Sequence, residues 1–455
     1  MSDIIALEKL NEVDFRVKGL TQGSALELKE HLTCVIDNWW FHPRAKAGWR
    51  GEISYFNWNE QTVPIGLFPQ MVKFCKKFGY KLKIDFDKEE LFNDISDEDF
   101  EEFYKAIFRD STFEPRDYQD ESIKRALRKK RGIIESPTGS GKSLVIYTLI
   151  RFLLGVCEGK ILLIVPNISL VNQMFSDFKE YGWEQCEGYC NLVFGGSQKR
   201  WQLPITISTW QSIYKKSIDF FAQYQAVIVD ETHGAKASSI QKCLKKCINA
   251  EYRIGTTGTM PDSRQDQFTI YGYLGPKIFS LTSGELIDKG ILSKIKIANL
   301  LVHYPKETVW NYWHDAEGHL VGNSYQEELD QIYGNHSRNG VFNFVLDNID
   351  AEQNVLILCH KISHLKDIRE YLEKNFGDRT IYEIYGRTKG DERERIRKKL
   401  DTGERKIFLT DNSYIIIENK EKVLLTNGQY KEGLKITLKD DISDVWIKSK
   451  KVYKN

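Results

Sequence analysis

The chain has 455 residues, of which 41% are hydrophobic, 28% charged and 12% aromatic. At roughly 100–200 residues per domain this is two to four domains, and the composition excludes a fibrous or disordered chain. No apolar run reaches the roughly 18–20 residues of a membrane span, and Met1-Ser2-Asp3 does not open a secretory signal, so a cytoplasmic protein is expected with no membrane partner.

The net charge of +1, from 65 basic and 64 acidic residues, carries no information on partners. Its distribution does. Residues 1–84 hold 12 Lys/Arg against 9 Asp/Glu, and residues 85–102 hold 1 against 10. The first stretch reads as a small α+β module, with strand-like runs at 14–20, 51–58 and 80–86 and amphipathic helices near 24–31 and 67–78. The second reads as a solvated acidic helix or connector, within a connector over 85–112. The 8 cysteines are scattered, and their two C-x3-C pairs lack zinc spacing, so buried reduced thiols are expected.

From about residue 113 short apolar runs alternate with helical sequence. GIIES (132–136), KILLIVP (160–166), ITIST (205–209), AVIVD (226–230) and YRIGTTGT (252–259) predict buried strands of a parallel sheet over 113–300. After a connector over 301–338, a second and shorter series occupies 339–410, with NVLILCH, TIYEIYG and KIFLTD. Residues 411–455 read as short antiparallel strands with an Asn427-Gly428 turn. The fold class is therefore α/β, with two parallel-sheet lobes, a small α+β domain before them and a β-rich tail after them.

Two motifs carry chemistry. In Ser136-Pro-Thr-Gly-Ser-Gly-Lys-Ser143 an apolar strand enters a glycine-rich turn and leaves as a helix. Backbone N–H groups of Thr138, Gly139, Ser140 and Gly141 can close around phosphate, with the helix N-terminus adding positive potential. Lys142 can reach the β and γ phosphates of ATP, and Ser143 can hold Mg²⁺. The usual pattern opens with Gly where this chain has Ser136. The second motif, Asp230-Glu-Thr-His233, closes a buried strand. Asp230 is placed to hold Mg²⁺, Glu231 to position or deprotonate the attacking water, and His233 to relay between nucleotide and nucleic acid.

Further motifs fall in order: Glu114-Pro-Arg-Asp-Tyr-Gln-Asp, Val165-Pro-Asn-Ile-Ser-Leu, Ile207-Ser-Thr-Trp-Gln-Ser, Thr256-Thr-Gly-Thr, Val355-Leu-Ile-Leu-Cys-His and Tyr385-Gly-Arg-Thr with Glu392-Arg-Glu-Arg. With the DExH-type Asp230–His233 they resemble superfamily 2 helicases. From about residue 13 to 410, including FHPRAKAGWRGEISYFNW, the chain resembles the UvsW helicases of tailed phages. That resemblance implies tandem RecA-like lobes and an ATP-dependent motor on branched DNA, namely Holliday junctions, forks and RNA–DNA hybrids. It implies adenine recognition by Gln119 and a strand path along Pro166, Asn167, Thr209 and Trp210. A monomer is expected.

The match stops near Thr410. No Gln-x-x-Gly-Arg occurs in the chain, so the motif VI arginines of the family are missing and the second lobe reads as incomplete. An insertion, a decayed copy or a fragment completed by a second polypeptide would each give this pattern. A helicase fragment that binds ATP and DNA without unwinding is accordingly the alternative function. In the N-terminal module Trp39, Trp40, Phe41, His42, Arg44, Lys46, Trp49 and Arg50 interleave aromatic and basic side chains. The basic three, Arg44, Lys46 and Arg50, are candidates for DNA phosphate. The aromatic residues suit base stacking or core packing equally.

Overall fold

The apolar runs between residues 131 and 280 pair side by side, all parallel, in one seven-stranded sheet. Its order is Lys277–Ser280, Arg131–Glu135, Tyr252–Thr257, Tyr224–Val229, Lys160–Val165, Ile205–Thr209 and Cys190–Val193. The computed structural model describes residues 4–87, 90–109, 111–194, 202–236, 238–293, 296–303, 313–314, 320–321, 325–348, 354–385, 388, 392, 395–396, 399, 406–411, 423–424, 434–436 and 444–451. The chain divides into two units, Met1–Ile291 and Leu292–Asn455.

Both faces of the seven-stranded sheet are covered, which is why its interior strands are buried along almost their whole length rather than on alternate residues. Ile133, Leu162, Ile164, Val227 and Val229 face a layer that includes Ile213, Phe221, Leu244, Ile270 and Leu274. Their neighbours Ile134, Ile161, Leu163 and Ile228 are buried as well. The helix Lys142–Val156 buries Leu144, Val145, Ile146, Tyr147, Leu149 and Ile150, so it is apolar on nearly every side.

The N-terminal module is a four-stranded sheet ordered Thr62–Pro64, Asp14–Lys18, Ile4–Lys9, Lys81–Ile84, with helices Gln22–His31 and Phe68–Phe78. Alternation explains its core: Ile5, Leu7, Phe15 and Val17 point inward and meet Leu28, Met71, Phe74 and Cys75 from the helices. The module is docked firmly on the lobe that carries the seven-stranded sheet. Arg131, at the start of the phosphate-loop strand, is buried and bonds the Glu12 carbonyl at 3.2 Å as well as the Glu12 carboxylate. Glu12 N–H donates to the Ile248 carbonyl at 2.9 Å. At Gly66 a Cβ would stand 1.8 Å from the Tyr271 carbonyl oxygen, so the contact demands glycine.

The acidic stretch holds a docked helix, Asp97–Ile107. Ser96 caps it, Phe100 is fully buried and stacks with Phe152, and Lys124 and Arg128 pair with Asp97. Its charges lie on the outer face and its aromatic residues hold it to the helix Lys142–Val156.

In the second unit Val355–Cys359, Ile407–Asp411 and Ile381–Ile384 form a parallel sheet in that order, packed against the helix Ile362–Asn375 through Leu365, Ile368 and Leu372. The tail strands do not join this sheet among the described residues. Asp444–Lys451 pairs antiparallel with Lys296–His303 and with Leu434–Ile436, and Val423–Leu424 pairs parallel with Lys296–His303. The expected Asn427-Gly428 turn lies outside the described residues, as do Gly386, Arg387 and Arg393.

Arg253 is the largest fully buried side chain. Its guanidinium donates to the carbonyls of Tyr273 at 2.6 Å, Cys247 at 2.9 Å and Leu244 at 2.7 Å. It therefore ties the central strand Tyr252–Thr257 to the ends of two helices. Arg253→Met leaves these buried carbonyls without their donors, at a cost of about 1–3 kcal/mol each. Denaturant unfolding of the variant should show a loss of at least about 3 kcal/mol.

Candidate active site

Parallel pairing brings three loops to one edge of the sheet. Glu135 lies opposite Thr257, Ile133 opposite Gly255, and Gly255 opposite Val229. The segments that follow, Ser136–Gly141, Asp230–His233 and Gly258–Met260, consequently start side by side.

The phosphate loop is held from inside. Gly139 and Gly141 adopt φ of 82° and 79°, the left-handed region that glycine tolerates without strain. At Gly141 a Cβ would also meet the Gln119 side chain at 2.3 Å. Ser136 donates its N–H to the Thr257 carbonyl at 2.9 Å, and its hydroxyl accepts from Ser140 at 3.0 Å. The departure from the usual opening glycine thus adds a buried hydroxyl pair that braces the loop. Thr138 and Gly139 are exposed at its crest. Lys142 opens the helix and reaches back to the Ser136 carbonyl at 3.1 Å, and Ser143 follows, half-buried in the first turn.

Gln119 is buried beneath the loop. Its amide donates to the Ser140 carbonyl at 2.9 Å and accepts from Arg116 N–H at 2.8 Å, while Tyr118 hydroxyl donates to the same Ser140 carbonyl. In this structure Gln119 therefore supports the loop backbone.

The carboxylates stand in different surroundings. Asp230 Oδ1 accepts from the Thr256 hydroxyl at 2.7 Å and from Glu231 N–H at 2.9 Å. Burial dominates its environment and raises its pKa. Glu231 takes φ of 50°, an uncommon conformation for a residue with a side chain. Its carboxylate lies 3.2 Å from His233 Nδ1 and 4.0 Å from Lys142 Nζ. Burial opposes its charge, but His233 and Lys142 outweigh burial and hold it below the usual carboxylate range. His233 Nδ1 also lies 3.2 Å from the Thr257 hydroxyl. Thr232, fully buried, donates to the carbonyls of Val229 and Thr256. Sequence patterns give no sign of the bonds from Thr232 to the Thr256 carbonyl and from Thr256 to Asp230, which join segments more than twenty residues apart.

The structure thus brings Lys142, Glu231 and His233 together and fixes Asp230 beside them through Glu231. Ser143 and Asp230 offer hard oxygen ligands of the kind Mg²⁺ takes.

Of the proposed strand-path residues, Pro166 and Asn167 follow the strand Lys160–Val165, and Thr209 ends the strand paired with it. Asn167 caps the next helix by accepting from Leu170 N–H at 2.9 Å. Thr209 is buried, with its hydroxyl 2.9 Å from that of Ser212, and Trp210 packs partly against the core. In the N-terminal module Arg44, Lys46 and Arg50 are exposed. Trp40 and Phe41 are exposed too, at 58% and 81%, whereas Trp39 is half-buried against Gly51.

Residues 16–85 match the family DNA helicase UvsW, N-terminal, and residues 112–262 match the family Type III restriction enzyme, res subunit. The chain is 29% identical over 418 residues to the ATP-dependent DNA helicase uvsW of Enterobacteria phage T4, covering 88% of this chain and 80% of that protein. It is 29% identical over 200 residues to the DNA 3'-5' translocase XPB2 of Sulfurisphaera tokodaii, covering 44% and 43% of the two chains. Among solved structures, T4 UvsW aligns with a TM-score of 0.57 at 25% identity over 94% of this chain and 84% of that one. A second structure of the bacteriophage T4 UvsW helicase aligns with a TM-score of 0.56 at 29% identity, over 60% of this chain and 99% of that one.

Lys142→Ala should remove tight nucleotide binding while the melting temperature of the chain stays unchanged; calorimetric titration with Mg-ATP reads the first and thermal unfolding the second. Glu231→Gln should retain Mg-ATP binding and lose whatever hydrolysis the parent chain shows, since an amide cannot accept a proton from water.

Proposed function

We propose that the chain is a UvsW-like DNA helicase of superfamily 2 that uses ATP to move on branched DNA: Holliday junctions, replication forks and RNA–DNA hybrids. Its setting is phage recombination, repair and replication in the host cytoplasm. The observation that carries this reading is the shared edge of the seven-stranded sheet, where Lys142, Asp230, Glu231 and Thr256 converge. Lys142 binds the β and γ phosphates, Ser143 and Asp230 hold Mg²⁺, and Glu231 orients the attacking water and takes its proton. Mg²⁺ supplies charge neutralisation on the phosphates. His233, between Glu231 and Thr257, links that site to the Thr256–Thr259 segment. DNA lies along Pro166, Asn167, Thr209 and Trp210, and Arg44, Lys46 and Arg50 engage phosphate on the N-terminal module.

A second reading, a fragment that binds ATP and DNA without unwinding, is favoured by one observation: the sequence holds no Gln-x-x-Gly-Arg. An arginine finger contributes on the order of 10³–10⁵ in rate. Steady-state ATP hydrolysis with and without a four-way junction separates the two. Robust stimulation and unwinding by the 455-residue chain alone supports the motor; hydrolysis at least about a hundredfold below a complete relative supports the fragment and a second polypeptide that completes it.

Replacing Arg44, Lys46 and Arg50 together should weaken junction binding and flatten its salt dependence, by about 0.9 in the log–log slope for each phosphate that is no longer neutralised. An unchanged slope in a salt titration would assign these residues to another role.

A further inference from the structure

Glu135 is the last residue of the strand that enters the phosphate loop, and no motif claims it. Its two carboxylate oxygens reach different segments. Oε1 accepts from Met260 N–H at 2.9 Å, at the end of the Thr256–Thr259 loop. Oε2 accepts from Lys277 Nζ at 2.7 Å and from the Ser280 hydroxyl at 2.9 Å, both on the edge strand. The backbone repeats the connection. Leu281 N–H donates to the Glu135 carbonyl at 2.8 Å, and the next residue, Ser136, donates to the Thr257 carbonyl.

The edge strand is shaped for this contact. Lys277 and Ser280 are three residues apart, so a regular strand would point them to opposite faces. The register slips between Lys277 and Phe279: Lys277 lies opposite Ile133, Phe279 opposite Ile134 and Ser280 opposite Glu135. A bulge of this kind re-aims side chains, and here both partners arrive at one carboxylate oxygen. Gly132, at φ of 151°, lets the strands approach where a Cβ would meet Ile278 at 2.4 Å. Burial works against the Glu135 charge, while Lys277, Met260 N–H and Ser280 keep it below the usual carboxylate range. The edge strand continues through the helix Ser283–Asp288 to Ile291, where the first unit ends.

We propose that Glu135 is a positioning residue for the motor reaction: its carboxylate clamps the phosphate loop, the Thr256–Met260 segment and the strand leading out of the first unit into one mechanical element, so that nucleotide and DNA sense each other. The proposal rests on the motor reading. A carboxylate suits the role because it accepts on both oxygens at once. In Glu135→Gln one oxygen still accepts from Met260, but an amide N–H₂ then faces the Lys277 ammonium, donor against donor. Lys277→Met removes the same ion pair from the other side, and Lys277→Arg restores it. None of these changes touches Lys142, Asp230 or Glu231.

The test measures the dissociation constant of a fluorescent, non-hydrolysable ATP analogue with Mg²⁺, alone and with saturating four-way junction DNA. The ratio of the two constants is the coupling between the sites, and it is reciprocal. The parent chain should give a ratio of about 5 or more, in the ordinary range of such couplings. Glu135→Gln and Lys277→Met should bring the ratio close to one while DNA-free affinity stays within about threefold of the parent, and Lys277→Arg should keep the parental ratio. A parental ratio persisting in folded Glu135→Gln overturns the proposal. Loss of DNA-free affinity to the level of Lys142→Ala in either variant also overturns it, because Glu135 would then only shape the loop. A parent chain with a ratio of one instead overturns the motor reading on which the proposal rests. Should Glu135→Gln fail to fold, the Lys277 pair decides alone.

Discussion

The register of three parallel strands is the constraint on which the site depends. Tyr252–Thr257 lies between Arg131–Glu135 and Tyr224–Val229, and its pairing with both fixes where each loop begins. A slip of one residue would turn every strand side chain to the opposite face. Ile133 and Val229 would then leave the layer they share with Ile270 and Leu274, and Asp230 would turn away from Thr256. The same burial that drives the sheet together therefore sets the chemistry at its edge. Hydrophobic packing and catalytic geometry are one arrangement read at two ends of the strands.

That arrangement extends to the N-terminal module. Arg131 starts the strand that ends in the phosphate loop, and it is held by Glu12 of the module. Removing one member of a buried ion pair leaves the other uncompensated. The module is accordingly joined to the nucleotide lobe by a contact that is hard to dissolve, reinforced where Gly66 meets Tyr271 and where Tyr55 hydroxyl donates to the Gln265 carbonyl. Residues that grip DNA on the module would keep a fixed position relative to the nucleotide.

The fold is legible in the sequence where the signal is local. The phosphate loop announces itself because strand, glycine turn and helix follow one another within a few residues. Five strands of the large sheet are short runs with few charged residues, and continuous burial is what a parallel sheet requires. Cys190–Val193 and Lys277–Ser280 give a weaker signal, because each is an edge strand of only four residues whose apolar run is two residues long. Ile4–Lys9 is equally hard to read, although it is central to its sheet, since its alternation spans only Ile5 and Leu7 before the charged residues resume. Glu135 cannot be read at all: its partner Lys277 is 142 residues away, and only the bulge makes them meet. The shared tail sheet is illegible for the same reason, because Asp444–Lys451 pairs with a strand far earlier in the chain, at Lys296–His303.

The central claim is that three separate segments form a single nucleotide site because strand register places them together. Backbone hydrogen exchange, compared with and without a Mg-bound non-hydrolysable ATP analogue, tests it directly. The account predicts that protection rises together at the N–H groups of residues 138–143, 230–233 and 257–260, over one nucleotide concentration range. Protection confined to residues 138–143, with the other two segments unchanged at saturation, would contradict it.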